Sequence, residues 1–263
     1  MLLATASARA QDAASAAAVT YSTNFDLTEL PLSERGAWHH NGLDWSVVES
    51  GKGLAYGTQT GSAGFNDSYA FLSGFPANQS ASGVISKSAS IDGSCTHEVE
   101  ILLRWSDAAH SATGYECNVA FDGSYAEIVR WNGPLGNFTY LTRSKVPAGI
   151  KDGDKVSATM VGEDISLSVN GTEVAHAKDA TYAAGNPGIG FWRGGPCGTK
   201  GDYAFTSFSA TSSVSTGGAP VPIGKHVWQF GALLSLGMVV VASRALGHAR
   251  GKKSAFATRA VGP

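Results

Sequence analysis

The sequence predicts an all-β domain, a sandwich or barrel of short strands, followed by one C-terminal transmembrane helix. Between residues 19 and 210 apolar and polar residues alternate in short runs separated by turn residues, with almost no helical periodicity, which is the pattern of half-buried strands in a sandwich or barrel. Charged residues make up 15% of the chain and glycines number 33, against roughly a quarter charged and about 7% glycine in ordinary domains, so turns are plentiful and solvated helical faces few. Residues 227–243 carry no charged side chain, and basic residues follow them.

Taken in order, strands are expected at 19–25, 44–50, 53–59, 68–74, 82–90, 96–105, 114–121, 125–131, 138–144, 154–162, 164–170, 172–179, 188–192 and 203–210. Two hairpins are specified locally. Asn170-Gly171 between "ISLSV" and "TEVA" supplies the two positive-φ positions of a type I′ turn, which matches the twist of the flanking strands. The second hairpin joins 97–105 to 114–121, and pairing about a sum near 220 sets Arg104 opposite Glu116 and Leu102 opposite Asn118. Alternation then puts Val99, Ile101, Leu103, Cys117, Val119 and Phe121 on the inner face. Glu98, Glu100, Arg104, Glu116 and Asn118 fall on the outer one.

The ends read differently. The start, "MLLATASARAQDAAS", lacks a basic leading segment, yet Ala8-Arg9-Ala10 before Gln11 fits the small-residue pattern that ends a secretory signal. Residues 1–18 are a signal remnant or a disordered terminus, outside the fold in either case. At the other end, residues 227–243 in helical form measure about 25 Å, within the range that spans a bilayer core. Arg244, Arg250, Lys252, Lys253 and Arg259 follow, against Lys225 and His226 before, so the positive-inside bias puts the C-terminus in the cytoplasm and the strands outside. A buried core helix is the rival reading, but the preceding "TSSVSTGGAPVP" is a linker composition that gives no reason to fold back. The division is therefore 1–18, a β-sandwich domain at 19–211, a Ser/Gly/Pro linker at 212–225, the transmembrane helix at 226–244 and a basic tail at 245–263. Val221-Pro222, the apolar run and the basic end together resemble the C-terminal sorting tails of some bacterial exported proteins, without their Pro-Glu-Pro core. Processing and permanent anchoring in the cell envelope both remain open.

Net charge of −2 offers no basic stripe to neutralise phosphates, so nucleic acid is not an expected partner. The cysteines Cys95, Cys117 and Cys197 lack the spacing of a structural zinc site. One bridge and one buried thiol suit an exported protein, with Cys197 as one partner, and the pairing stays open.

"NFD" near the start, "GYECNVAFDGSYAEIVRWNG", "VPAGIKDGDKVSATMVGEDISLSVNGTEVAHAKD", "GNPGIGFW" and the closing "GDYAFTSFSA" together resemble the concanavalin A-like lectin/glucanase superfamily, close to laminin-G-like modules. The resemblance covers nearly all of 19–210 and implies a jelly-roll sandwich of two antiparallel sheets whose curved face or rim loops bind saccharides. It includes hydrolases and pure binders. The superfamily's glucanase motif, Glu-x-Asp-x-x-Glu, is absent, since "EVEILL" has Glu100 third and Leu103 sixth.

Site expectations follow. Sugar rings present apolar C–H faces that stack on indoles while polar neighbours bind hydroxyls. Trp131 with Asn132 and Trp192 with Arg193 stand at strand ends, where a rim site would lie. With Arg104 and Asn118 they are the expected ligand-binding residues, for a polysaccharide or glycoprotein glycan. No catalytic residue is expected; if the chain hydrolyses or cleaves glycans, Glu100 and Glu116 are the alternative. No cofactor is expected beyond calcium, which some members of the superfamily bind, and Asp26 and Asp202 on the first and last strands are the pair to test. His39 and His40 have no third metal ligand nearby in sequence.

Overall fold

The computed structural model describes residues 18–59, 64–91, 96–195 and 197–212. The segments expected to be signal remnant, linker, transmembrane helix and tail lie outside the described residues apart from their inner edges, and among the described residues no helix is long and apolar enough to cross a membrane.

Among the described residues fourteen strands form: β1 (Thr20–Thr23), β2 (Ser46–Gly51), β3 (Leu54–Gly57), β4 (Ser68–Phe71), β5 (Gln79–Lys87), β6 (Glu98–Ala108), β7 (Ser111–Ala120), β8 (Ala126–Gly133), β9 (Phe138–Ser144), β10 (Lys155–Val161), β11 (Asp164–Val169), β12 (Thr172–Lys178), β13 (Asn186–Trp192) and β14 (Tyr203–Ser212). They build two layers. The first runs β12-β11-β10-β5-β14-β3-β2, with β1 also on β14; the second runs β4-β13-β6-β7-β8-β9. The pairs are antiparallel except where β2 runs parallel to β4 and so joins the two layers, a departure from the wholly antiparallel expectation. Ile101, Cys117, Val119, Ile128, Ile189 and Phe191 of the second layer share one buried core with Ile85, Val156, Met160, Leu167, Phe205 and Phe208 of the first.

The type I′ turn forms as expected, with Asn170 at φ 51° and Gly171 at φ 78°. The β6–β7 hairpin forms too, with its inner and outer faces as read from alternation up to Leu103, but each partner is displaced by two residues: Leu102 faces Glu116 and Glu100 faces Asn118. The expected opposition of Arg104 and Glu116 is corrected by a bulge. Arg104 and Trp105 together oppose Gly114, between the pairs Leu103–Tyr115 and Ser106–Thr113. Arg104 takes a left-handed φ of 47°, and the extra residue reverses the alternation. Only glycine fits opposite: a Cβ on Gly114 would lie 2.8 Å from the Trp105 Cα.

The bulge sends two neighbours to different places. Trp105, which unbroken alternation would put on the inner face, is carried to the outer one, where it joins Trp45, Tyr69, Phe71, Leu102, Val129 and Trp131 in a second apolar cluster. Arg104 turns to the end of the sandwich and donates from Nε to the Ala77 carbonyl (2.8 Å) and from its two terminal nitrogens to the Tyr182 (2.7 Å) and Gly162 (2.8 Å) carbonyls. Cys197 is disulfide-bonded, and Cys117 is the free, buried thiol.

Candidate functional site

The outer face of the second sheet is laid out by register. Across β13, β6, β7, β8 and β9 one row reads Gly190, Glu100, Asn118, Glu127, Arg143, and the next reads Gly188, Leu102, Glu116, Val129, Tyr140. Glu98 lies beside Trp192, and Asp67 immediately precedes β4. Alternation with period two is what gathers these side chains from five strands onto one surface. Asp67, Glu98, Glu116, Asn118, Glu127, Tyr140 and Arg143 are among the residues that line a pocket of about 280 Å³, and Glu100 lies beside them, close to Asp67 and Glu116.

Its walls are aromatic. Phe65 is 50% and Tyr140 53% exposed, so each offers a ring face to solvent; Phe138 packs edge-on between them, 5.0 Å from Phe65 and 5.3 Å from Tyr140. Trp192 stands half-buried at the rim, with its indole N–H donating to the Gly64 carbonyl at 3.2 Å. Its floor is acidic. Glu98, Glu116, Glu127 and Asp67 of the lining are all buried, as is Glu100 beside them. Burial first, and then the charge of Glu116, raises the carboxyls of Asp67, Glu98 and Glu100 well above the usual carboxylate range. Burial also raises Glu116, against the pull of hydrogen bonds from the Trp131 indole N–H to Oε2 (2.6 Å) and the Asn118 amide to Oε1 (2.5 Å). Glu127 is raised by burial although Arg143 reaches its Oε1 at 2.7 Å. The Tyr125 hydroxyl donates to Glu98, and the Arg143 guanidinium lies over the Tyr125 ring at 4.7 Å.

The expected ligand residues separate. Trp131, Trp192 and Asn118 line the pocket. Trp131 is only 2% exposed, packed against Trp45 at 5.8 Å and Phe138 at 5.3 Å. Asn132 follows Trp131 on the opposite face of β8 and donates to the side chains of Asn137 and Thr139. Arg193 donates from its backbone N–H to Gln59 and from its guanidinium to the Gly198 carbonyl. Arg104 is at the sandwich end. Glu100 and Glu116 come together as expected, joined by Asp67: one oxygen of each lies within 4.8 Å of the others. Asp26 is exposed, and Asp202 accepts from the backbone and hydroxyl of Thr199 in its own turn; neither belongs to the carboxyl cluster.

Sequence reasoning missed Asp67, Glu127, Tyr125, Phe65, Tyr140 and Arg143. Glu127 and Tyr140 carried a signal, since alternation through "AEIVRW" and "FTYLTRS" puts each on one face of its strand. Asp67 carried none, because its place depends on β4 meeting β13.

No protein-family model matches the chain, and no curated protein matches it in sequence. Solved structures similar to it include the carbohydrate binding module CBM66 from Bacillus subtilis, at 15% identity over 70% of this chain and 96% of that one, with a TM-score of 0.48. The kappa-carrageenase from Pseudoalteromonas carrageenovora matches at 9% identity over 78% and 99%, with a TM-score of 0.48. The Caenorhabditis elegans galectin LEC-6 matches at 17% over 60% and 94%, with a TM-score of 0.38.

Proposed function

We propose that this chain binds a saccharide, part of a polysaccharide or a glycoprotein glycan, in the pocket on the outer face of its second sheet, and releases it unchanged. One observation carries the reading: exposed ring faces of Phe65 and Tyr140 and the half-buried Trp192 stand over a floor of buried carboxyl and amide groups. Rings stack on sugar C–H faces, and acceptors below bind hydroxyls. With Arg143 held by Glu127, the carboxyl floor favours neutral over anionic glycans. The run at 227–243 and the basic residues after it support an extracytoplasmic position in the cell envelope, anchored by residues 226–244.

A glycan array probed with the full chain tests this. Binding that falls in Trp192→Ala and Tyr140→Ala supports it; no glycan bound by a folded chain would leave an envelope module without a small ligand. A second reading draws on the spacing of Glu100 and Glu116. Carboxyl groups about 5 Å apart suit a retaining glycoside hydrolase, and a raised carboxyl is what a general acid requires. Product formation from a bound glycan, lost in Glu116→Gln, would replace binding with hydrolysis or lysis.

A further inference from the structure

We propose that Asp67, Glu100 and Glu116 hold a divalent cation of the calcium type where the pocket lining, to which Asp67 and Glu116 belong, meets the buried Glu100. The site is built by the approach to β4 and by the two strands of the β6–β7 hairpin. One oxygen from each lies within 4.8 Å of the others. Oxygens gathered this closely suit a cation that takes carboxylate ligands at about 2.3–2.6 Å in flexible geometry, as calcium does, whereas magnesium demands near-ideal octahedral geometry and usually keeps several waters. All-oxygen, all-carboxylate donors suit a hard cation rather than zinc or copper.

A second observation points into the same space. Glu100 is 1% exposed, and its Oε1 has no hydrogen-bond partner among the described residues. A buried acceptor left bare is costly, and a buried carboxylate more so. No lysine lines the pocket among the described residues, and the arginine that does, Arg143, already meets Glu127. The protein has also made room for Glu100 to sit there. Gly190 faces it across the β6–β13 ladder, and a Cβ at that position would lie 1.9 Å from Glu100 Oε2. Glu116, meanwhile, is oriented by Trp131 and Asn118, the kind of support that fixes a ligating carboxylate. Three oxygens leave several calcium positions for water or a ligand hydroxyl. The cation site stands on its own carboxylates and does not require that a saccharide bind.

The test is cation binding by the full chain in mild detergent, with no glycan present. Calcium in the millimolar range is expected to raise the melting temperature over that in chelator. Terbium is expected to luminesce on indole excitation, because Trp131 touches Glu116, and to be displaced by calcium. Glu100→Gln and Asp67→Asn, near-isosteric changes checked for native circular dichroism, are expected to weaken binding at least tenfold. Gly190→Ala keeps every carboxylate but displaces Glu100 and is expected to weaken binding likewise. Absence of both the thermal shift and the sensitised emission in the unmodified chain overturns the proposal, as does unchanged affinity in folded Glu100→Gln and Asp67→Asn.

Discussion

Trp131 and Trp192 show how neighbouring indoles in one pocket take different tasks. Trp131 is sealed by Trp45, Trp105 and Phe138, so Trp131→Ala should cost roughly 3–5 kcal/mol of stability by leaving a cavity. Trp192→Ala should barely move the melting temperature and weaken glycan binding by about 1–3 kcal/mol. Thermal melts alongside glycan titrations separate the two, and a steep fall in melting temperature for Trp192→Ala would remove it from the stacking surface. Asp179 offers a residue-scale test of pH dependence. Burial opposes its ionised form, but the Tyr115 hydroxyl (2.6 Å), the Thr181 N–H (2.8 Å) and Arg130 (2.5 Å) donate to it, and the net shift is downward. The unfolded chain then binds the extra proton first, so this contribution is present above the ordinary aspartate value of about 4 and is lost as pH falls through the folded value. Asp179→Asn should destabilise by about 1.5–3 kcal/mol at pH 7. The difference from wild type should shrink below pH 4 in denaturant titrations, and a gap that stayed constant with pH would contradict this account.

At the scale of elements the β6 bulge is the decisive feature. It moves Arg104 out of the sheet's outer row, where it bonds three carbonyls at the sandwich end, and brings Trp105 into the aromatic cluster in its place. Arg104→Met keeps the length of the side chain and removes its donors, leaving carbonyls of three loops unserved, and should cost on the order of 3 kcal/mol or more. Urea unfolding measures this, and a loss under 1 kcal/mol would mean water replaces the guanidinium at little cost. The inner and outer faces of β6 and β7 were legible because parity survives a register error of two in the pairing sum. The bulge was not, since "LLRWSD" contains no local mark of an extra residue; its signal is Gly114 on the partner strand, intelligible only once the two strands are side by side.

For the whole molecule, the expectation that remains to be measured is topology. The full chain should partition with membranes and resist a carbonate wash, while a chain ending at residue 215 should be recovered in the soluble fraction, because the uncharged run 227–243 and its one-sided basic flank are then gone. Protease added outside intact cells should cut the strand-rich part. A full chain found in the soluble fraction, or a sandwich spared by external protease, would contradict anchoring.

The sequence by itself determined the strands, their inner and outer faces away from the β6 bulge, the Asn170-Gly171 turn and the placing of Glu100 and Glu116 on one face, because period-two alternation and turn chemistry act between residues close along the chain. Tertiary structure alone decided that β4 brings Asp67 to that pair, that Gly190 leaves room for Glu100, and that Trp131 is sealed while Tyr140 is open. Each of these depends on which strands become neighbours across the sheet, and strand order is set by the packing of the entire core, a condition to which every strand contributes and which no single stretch of sequence records.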